Sequence, residues 1–200
     1  MMGYQWEYLR NRIMISRYAL ADYFLQNCTD IIEIGGMGDF INSSSFNSVV
    51  VCDPLCTLES TSNITYVKNL FERVDWGVYL DKDDAIIGLC IVGVGGGLIL
   101  NAGGLSVMKR IVEKVDMVAL EVAVDHEPSM NDFERISEFC KNGNVVADFE
   151  IDYSRSISKI GDLEERVKRN VDTFLRRRMV ILENKLPGRE GGVPPGNLEG

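Results

Sequence analysis

The sequence predicts an α/β fold, a doubly wound, mostly parallel seven-stranded sheet preceded by an N-terminal helix. Three observations carry this reading. Seven short apolar or β-branched segments alternate with amphipathic ones, the pattern of strands buried on both faces and joined by helical crossovers. The first strand, Ile31-Ile32-Glu33-Ile34, runs straight into Gly35-Gly36-Met37-Gly38, and an apolar strand that ends in an acid and then glycines is a nucleotide-cofactor turn. The next, Val49-Val50-Val51-Cys52, ends on Asp53, a carboxylate at the spacing of a ribose-binding acid in a βαβ unit.

Taken in order, Trp6 to Gln26 sets Leu9, Ile13, Leu20 and Phe24 near one face at helical spacing, interrupted only by Arg17, and predicts an amphipathic helix. Strands are expected at Asp30 to Ile34, Val49 to Cys52, Ile64 to Val67, Ala85 to Val92, Met117 to Val122, Val145 to Asp152 and Met179 to Glu183, each bounded by turn residues. The helix after the first strand should be short. Further helices fit Leu105 to Lys114, Met130 to Lys141 and Leu163 to Arg177, where charged residues lie opposite Ile111, Phe133, Ile136, Phe139, Val167, Val171 and Phe174. The last two strands can include an antiparallel edge. Residues 1–186 read as one domain, because a 200-residue chain that is 46% apolar can build one substantial core but hardly two. The Gly/Pro-rich tail, 187–200, has no apolar face to bury and is expected to be flexible.

Composition narrows the function. A formal net charge of -9 disfavours duplex nucleic acid and anionic membranes, both of which require a basic face, and leaves small molecules or proteins as the better substrates, with a small molecule placed first. Arg10, Arg12, Arg17 and Asp22 break any signal-peptide core. The weakly charged run Ala85 to Val107 is interrupted by seven glycines and suits a strand and loop better than a membrane span. Five scattered cysteines, Cys28, Cys52, Cys56, Cys90 and Cys140, fit reduced thiols and a cytoplasmic location. Cys52 and Cys56 have no second pair, so no metal site is expected.

The covering helix, the Glu33-Ile34-Gly35 turn, the Asp53 strand end, the segment Ile64 to Glu72 and the seven strands together resemble the class I S-adenosylmethionine-dependent methyltransferases. The similarity runs over roughly Trp6 to Glu183, but its diagnostic part is the three cofactor segments. In that family the first strand reads acid-x-Gly-x-Gly-x-Gly. Glu33 and Gly35 fill the first two places, whereas Met37 and Asp39 stand where later glycines are usual, with Gly36 and Gly38 between them. The resemblance implies S-adenosylmethionine as cofactor. It places Glu33, Gly35, Gly36 and Gly38 at the amino-acid portion, Asp53 on the ribose hydroxyls, Asn69 beside the adenine and Leu70 against its ring. It also makes the loop Gly93 to Gly97 the place where methyl group and acceptor meet. No Asn-Pro-Pro-Tyr motif occurs there.

For chemistry the candidates are His126 and Glu121. His126, the only histidine, follows the fifth strand at the carboxyl edge where open α/β sheets bind ligands, and a neutral imidazole can accept a proton from a hydroxyl or amine. Its duller reading is a surface residue before a helix that Glu127, Pro128 and Ser129 cap. Glu121, inside the fifth strand, is either a desolvated base or a carboxylate satisfied by neighbouring donors. Arg176-Arg177-Arg178, with Lys168 and Arg169, reads as a solvated helix end rather than an anion or RNA contact. Tyr4, Trp6, Tyr8, Arg10 and Arg12 form either a lid over the acceptor pocket or simple packing. Asp53-Pro54 could be only a turn, and the glycines after Ile34 only a tight connection.

Three function classes follow. The first is methyl transfer to a small-molecule acceptor, and the second a methyltransferase-like fold that binds or scaffolds without catalysis. The third, a nicotinamide-linked oxidoreductase, ranks behind because Gly-x-Gly-x-x-Gly fails at Ile41 and at Leu98. The absence of a Gly-Lys-Ser/Thr loop disfavours phosphoryl transfer.

Overall fold

The computed structural model describes residues 17–36, 45–92, 102–124, 126–140, 143–152 and 176–184. Along the chain these form α1 (17–25), β1 (Asp30–Ile34), β2 (Ser48–Cys52), β3 (Ile64–Val67), a 3-10 turn (Phe71–Arg73), α2 (Gly77–Leu80) and β4 (Ile87–Ile91). Then come α3 (Ala102–Val112), β5 (Met117–Ala123), α4 (Glu127–Phe139), β6 (Asn144–Asp152) and β7 (Arg176–Glu183). The seven strands join in one sheet in the order β3-β2-β1-β4-β5-β7-β6. The pairs β1–β2, β2–β3, β1–β4 and β4–β5 are parallel, and β7 is antiparallel to both β5 and β6. The sheet is therefore mixed. Its reversed strand is β7, inside the sheet and not at the edge that the sequence suggested.

Alternation along the strands divides the core into two faces. Ile32, Ile34, Val50, Leu89, Ile91, Val118, Leu120 and Val122 pack beneath α2, α3 and α4 through Trp76, Leu80, Val107, Met108, Ile111, Phe133 and Ile136. Ile31, Val49, Val51, Cys90, Val92, Ala119, Met179 and Ile181 face the other way, against Tyr18, Ala21 and Leu25 of α1 and against Phe46. Both faces are covered over β1, β2, β4 and β5, which is why these strands read as continuous apolar runs.

Several expectations are corrected. The helix expected over Leu163 to Arg177 does not reach its proposed end, because Arg176 and Arg177 begin β7; residues 163–175 lie outside the described part. The arginine run is thus no solvated helix end. Its residues alternate across the strand: Arg177 is buried, Arg176 pairs with Glu150 at 3.2 Å, and Arg178 forks onto Asp148 at 2.9 and 2.7 Å. The Arg178 bonds hold the Asp148 carboxyl below its ordinary range, and the guanidinium stacks 4.9 Å over Phe133. Alternating acids on β6 complement alternating bases on β7, and cross-strand pairing of that kind outweighs helical periodicity.

Helix α3 begins at Ala102, so Gly103 and Gly104 are helical rather than part of a glycine loop. Helix α4 begins at Glu127 with Pro128 in its first turn and His126 as its N-cap residue. The turn at Phe71–Arg73 and the short α2 fill a stretch to which the sequence assigned no element, and β4 is shorter than expected, Ile87–Ile91. The short helix expected after β1, the loop Gly93 to Gly97, the residues Tyr4 to Arg12 and the tail lie outside the described residues. No described helix is long and apolar enough to cross a membrane.

Candidate functional site

The strand order reverses between β1 and β4: the chain winds outward through β2 and β3 on one side, then returns to β4 on the other. A crevice opens at the carboxyl ends of strands where such a reversal occurs. The residues that follow β1 lie at that point. Gly35 has φ 76, a left-handed conformation favoured by glycine, and its N–H donates to the Cys52 carbonyl of β2 at 2.9 Å. Gly36 is buried, and a Cβ on it would collide with Oε1 of Glu33 and come within 2.6 Å of the Tyr18 hydroxyl. Glu33 itself is fully buried and accepts a 2.6 Å hydrogen bond from Tyr18, whose hydroxyl is also 3.2 Å from the Val92 carbonyl beyond β4. Burial first, and the neighbouring Glu33 second, push the Tyr18 phenol far above its ordinary pKa, so it remains a donor.

The ends of β2 and β3 are stitched to this turn. Asp53 N–H donates to the Val67 carbonyl at 3.2 Å, and the Cys52 thiol donates to the Asn69 carbonyl at 3.3 Å. Burial, reinforced by Asp53 and Glu72, pushes that thiol up to about 12, so it stays protonated. Asp53 is half-buried, and its Oδ1 accepts the Leu55 N–H at 2.6 Å across Pro54. That is the turn-forming use of Asp-Pro, and it also fixes the carboxylate. Asn69 and Leu70 are exposed, and the Asn69 Oδ1 caps the Leu70 N–H at 2.9 Å. Structure thus brings Glu33, Gly35, Gly36, Asp53, Asn69 and Leu70 to the carboxyl ends of three adjacent strands. Gly38 lies outside the described residues.

His126 sits on the same sheet edge, after β5, with extended φ -123 and ψ 102; its carbonyl accepts the Met130 N–H at 3.1 Å. Its side chain is half-buried. Glu121 is placed differently from a free base. It is 1% exposed, and Arg17 of α1 donates to both its oxygens at 3.0 and 3.2 Å while Arg177 of β7 approaches at 3.4 Å. Of the two sequence readings, the satisfied carboxylate describes this geometry. Arg17, which merely interrupted an apolar stripe in sequence, proves to be the partner that a buried Glu121 requires. Tyr18 left no signal, because a tyrosine in a helix looks like ordinary core.

Elsewhere, a cleft of about 310 Å³ between α2 and α3 is lined by Trp76, Leu80, Val107, Arg110 and Lys114. The Lys114–Asp81 ion pair, 2.9 Å, borders it. Both residues precede the amino ends of their next strands, so this cleft lies away from the carboxyl edge. Among the described residues no group of three or more His, Cys, Asp and Glu is disposed to hold a metal ion.

The sequence matches no protein-family model and no curated protein. Solved structures do match. The O-methyltransferase TomG from Streptomyces achromogenes, solved with S-adenosylmethionine, superposes with a TM-score of 0.51 over 87% of this chain and 80% of its own, at 10% identity. This chain shares the fold of that O-methyltransferase. The plantazolicin methyltransferase BamL, in complex with S-adenosylhomocysteine, is similar over 86% of this chain and 85% of its own, with TM-score 0.48 and 13% identity. The 16S rRNA methyltransferase KamB covers 84% and 94%, with TM-score 0.44 and 11% identity. At such identities the likeness is one of fold, and within the methyltransferase fold the residues at the β1 turn must speak for themselves.

Proposed function

We propose that this chain transfers a methyl group from S-adenosylmethionine to a small-molecule acceptor. The observation that carries the reading is the β1 turn. Gly35 is in the left-handed region and Gly36 cedes its Cβ space to the buried Glu33 carboxylate, so neither residue places a side chain at the switch point. These residues fit the cofactor. Gly35 and Gly36, above Glu33, would receive its amino-acid portion. The Asp53 carboxylate, fixed through one oxygen by Leu55, offers its other oxygen to a ribose diol. Exposed Asn69 and Leu70 supply an amide and an apolar surface for the adenine.

When bound, S-adenosylmethionine supplies a methyl group on a sulfonium, an electrophile strong enough that positioning provides much of the rate. His126, at the head of α4 on the same edge, takes up the proton that a hydroxyl or amine acceptor releases. Glu121 acts only through structure, holding α1 against β5 and β7. The acidic net charge of -9 favours a small acceptor over duplex nucleic acid.

Calorimetric titration with S-adenosylmethionine, S-adenosylhomocysteine and NAD tests the reading. Micromolar binding of the first two, about -8 kcal/mol, supports it. Binding of NAD alone indicates an oxidoreductase, and silence from all three indicates a scaffold that has lost the cofactor. Once an acceptor is in hand, His126→Ala is expected to lower turnover on the order of a hundredfold while leaving cofactor affinity unchanged. Full turnover at every pH in that variant would make His126 structural.

A further inference from the structure

We propose that the Tyr18 hydroxyl is a positioning group for the cofactor crevice: it holds the Glu33 carboxylate under the Gly35-Gly36 turn and ties that turn to the end of β4. This rests on the reading of the β1 turn as the cofactor site. Two contacts converge on one oxygen. Tyr18 donates to Glu33 Oε1 at 2.6 Å, a length typical of a charge-assisted bond, and lies 3.2 Å from the Val92 carbonyl. A Cβ on Gly36 would also come 2.6 Å from it. β1 and β4 are the strands on either side of the switch point, so the hydroxyl links the carboxyl ends of both.

The Glu33 carboxylate occupies the space that a side chain at Gly36 would need, and its position therefore sets where the Gly36 backbone can rest. A carboxylate on a two-carbon stem has several rotamers, and a short bond from a buried phenol selects one. Tyr18 is itself 1% exposed and anchored by the packing of α1 on the sheet. The turn is thus pre-organised by a helix that precedes it in sequence, and the cost of ordering it is met in folding rather than in binding.

A double-mutant cycle tests this. S-adenosylhomocysteine affinity, by calorimetry, and ligand-free Tm are measured for the wild type, Tyr18→Phe, Glu33→Gln and the double variant. Phenylalanine removes only the hydroxyl; should it fail to fold, methionine, which adapts to the same space, replaces it. Tyr18→Phe is expected to weaken affinity roughly tenfold or more in the wild-type background and to have a clearly smaller effect beside Glu33→Gln, whose neutral amide oxygen accepts only an ordinary hydrogen bond. Equal losses in both backgrounds, unchanged affinity, or coupling seen in Tm but not in affinity would overturn the positioning role. A wild-type chain that binds neither S-adenosylmethionine nor S-adenosylhomocysteine overturns the cofactor reading itself, and the role of Tyr18 falls with it.

Discussion

Gly36 has no room for a side chain, and the reason is a single carboxylate. The colliding atom belongs to a fully buried glutamate pinned by Tyr18, so it cannot swing clear as an exposed side chain would. Gly36→Ala is expected to cost about 1–3 kcal/mol of stability, the range for forcing an extra methyl into a packed site, and to weaken cofactor binding along with it. Denaturant titration with and without S-adenosylhomocysteine separates the two. Asp53 is the opposite case. It is half-buried at the carboxyl end of β2, and its own turn depends on one bond from Leu55. Asp53→Ala is expected to weaken cofactor binding by about 1–3 kcal/mol, the range for a charge-assisted hydrogen bond lost. Unchanged affinity would confine Asp53 to its turn.

At the scale of elements, the buried ions join parts of the chain far apart in sequence. Glu121 on β5 takes Arg17 from α1 and Arg177 from β7, and none of the three side chains is more than 6% exposed. Removing the acid leaves two buried cations facing each other. Glu121→Ala is therefore expected to lose about 3–5 kcal/mol, read as a fall in the denaturation midpoint. Little change would mean that water enters and solvates the arginines. Elements of this kind also mark what could be read in advance. The central parallel strands announced themselves as apolar runs, and β1 begins and ends where expected, because burial on both faces leaves no alternative composition; β3, a half-exposed edge strand, also has its expected bounds, set by β-branched and aromatic residues between turns. The strand at Arg176 did not. Its three arginines look like a helix end until Asp148, Glu150 and Asp152 are set beside them, and pairing between distant segments is invisible to local periodicity. The site was legible in the same uneven way: Glu33, Gly35 and Asp53 follow from strand ends, whereas Tyr18 depends on a helix reaching across the sheet.

For the whole molecule, charge buried at the amino edge of the sheet makes stability depend on pH. Asp30 accepts from Lys82 and from Ser48, both at 2.5 Å, and from Thr29 at 2.7 Å. Burial alone would raise its pKa, but these bonds outweigh burial and hold it below the ordinary carboxylate value. A carboxyl whose pKa is lower in the folded state stabilises the fold above its unfolded value of about 3.9, and that contribution is lost as pH falls through the lowered folded value. Asp30→Asn is therefore expected to be less stable than wild type at neutral pH, with the gap closing as the pH falls below about 3.9. A gap that persists undiminished would assign the effect to packing. The clusters at the two ends of β1, Asp30 below and Glu33 above, thus do different work: one secures the strand's start, the other shapes the turn that leaves it.

The two faces of the sheet differ in what holds their helices. Under α2, α3 and α4 the contacts are mainly apolar and non-directional, with Asn184 donating to the Val112 and Val115 carbonyls at 2.8 and 2.9 Å at the end of α3. Helix α1 also has apolar contacts, but its consecutive residues Arg17 and Tyr18 must reach Glu121 and Glu33 on two different strands at once. Two directional bonds to fixed points leave one rotation and one translation that satisfy both. The pair works as a key cut for a single lock position: apolar packing draws the helix to the face, and the two glutamates say where.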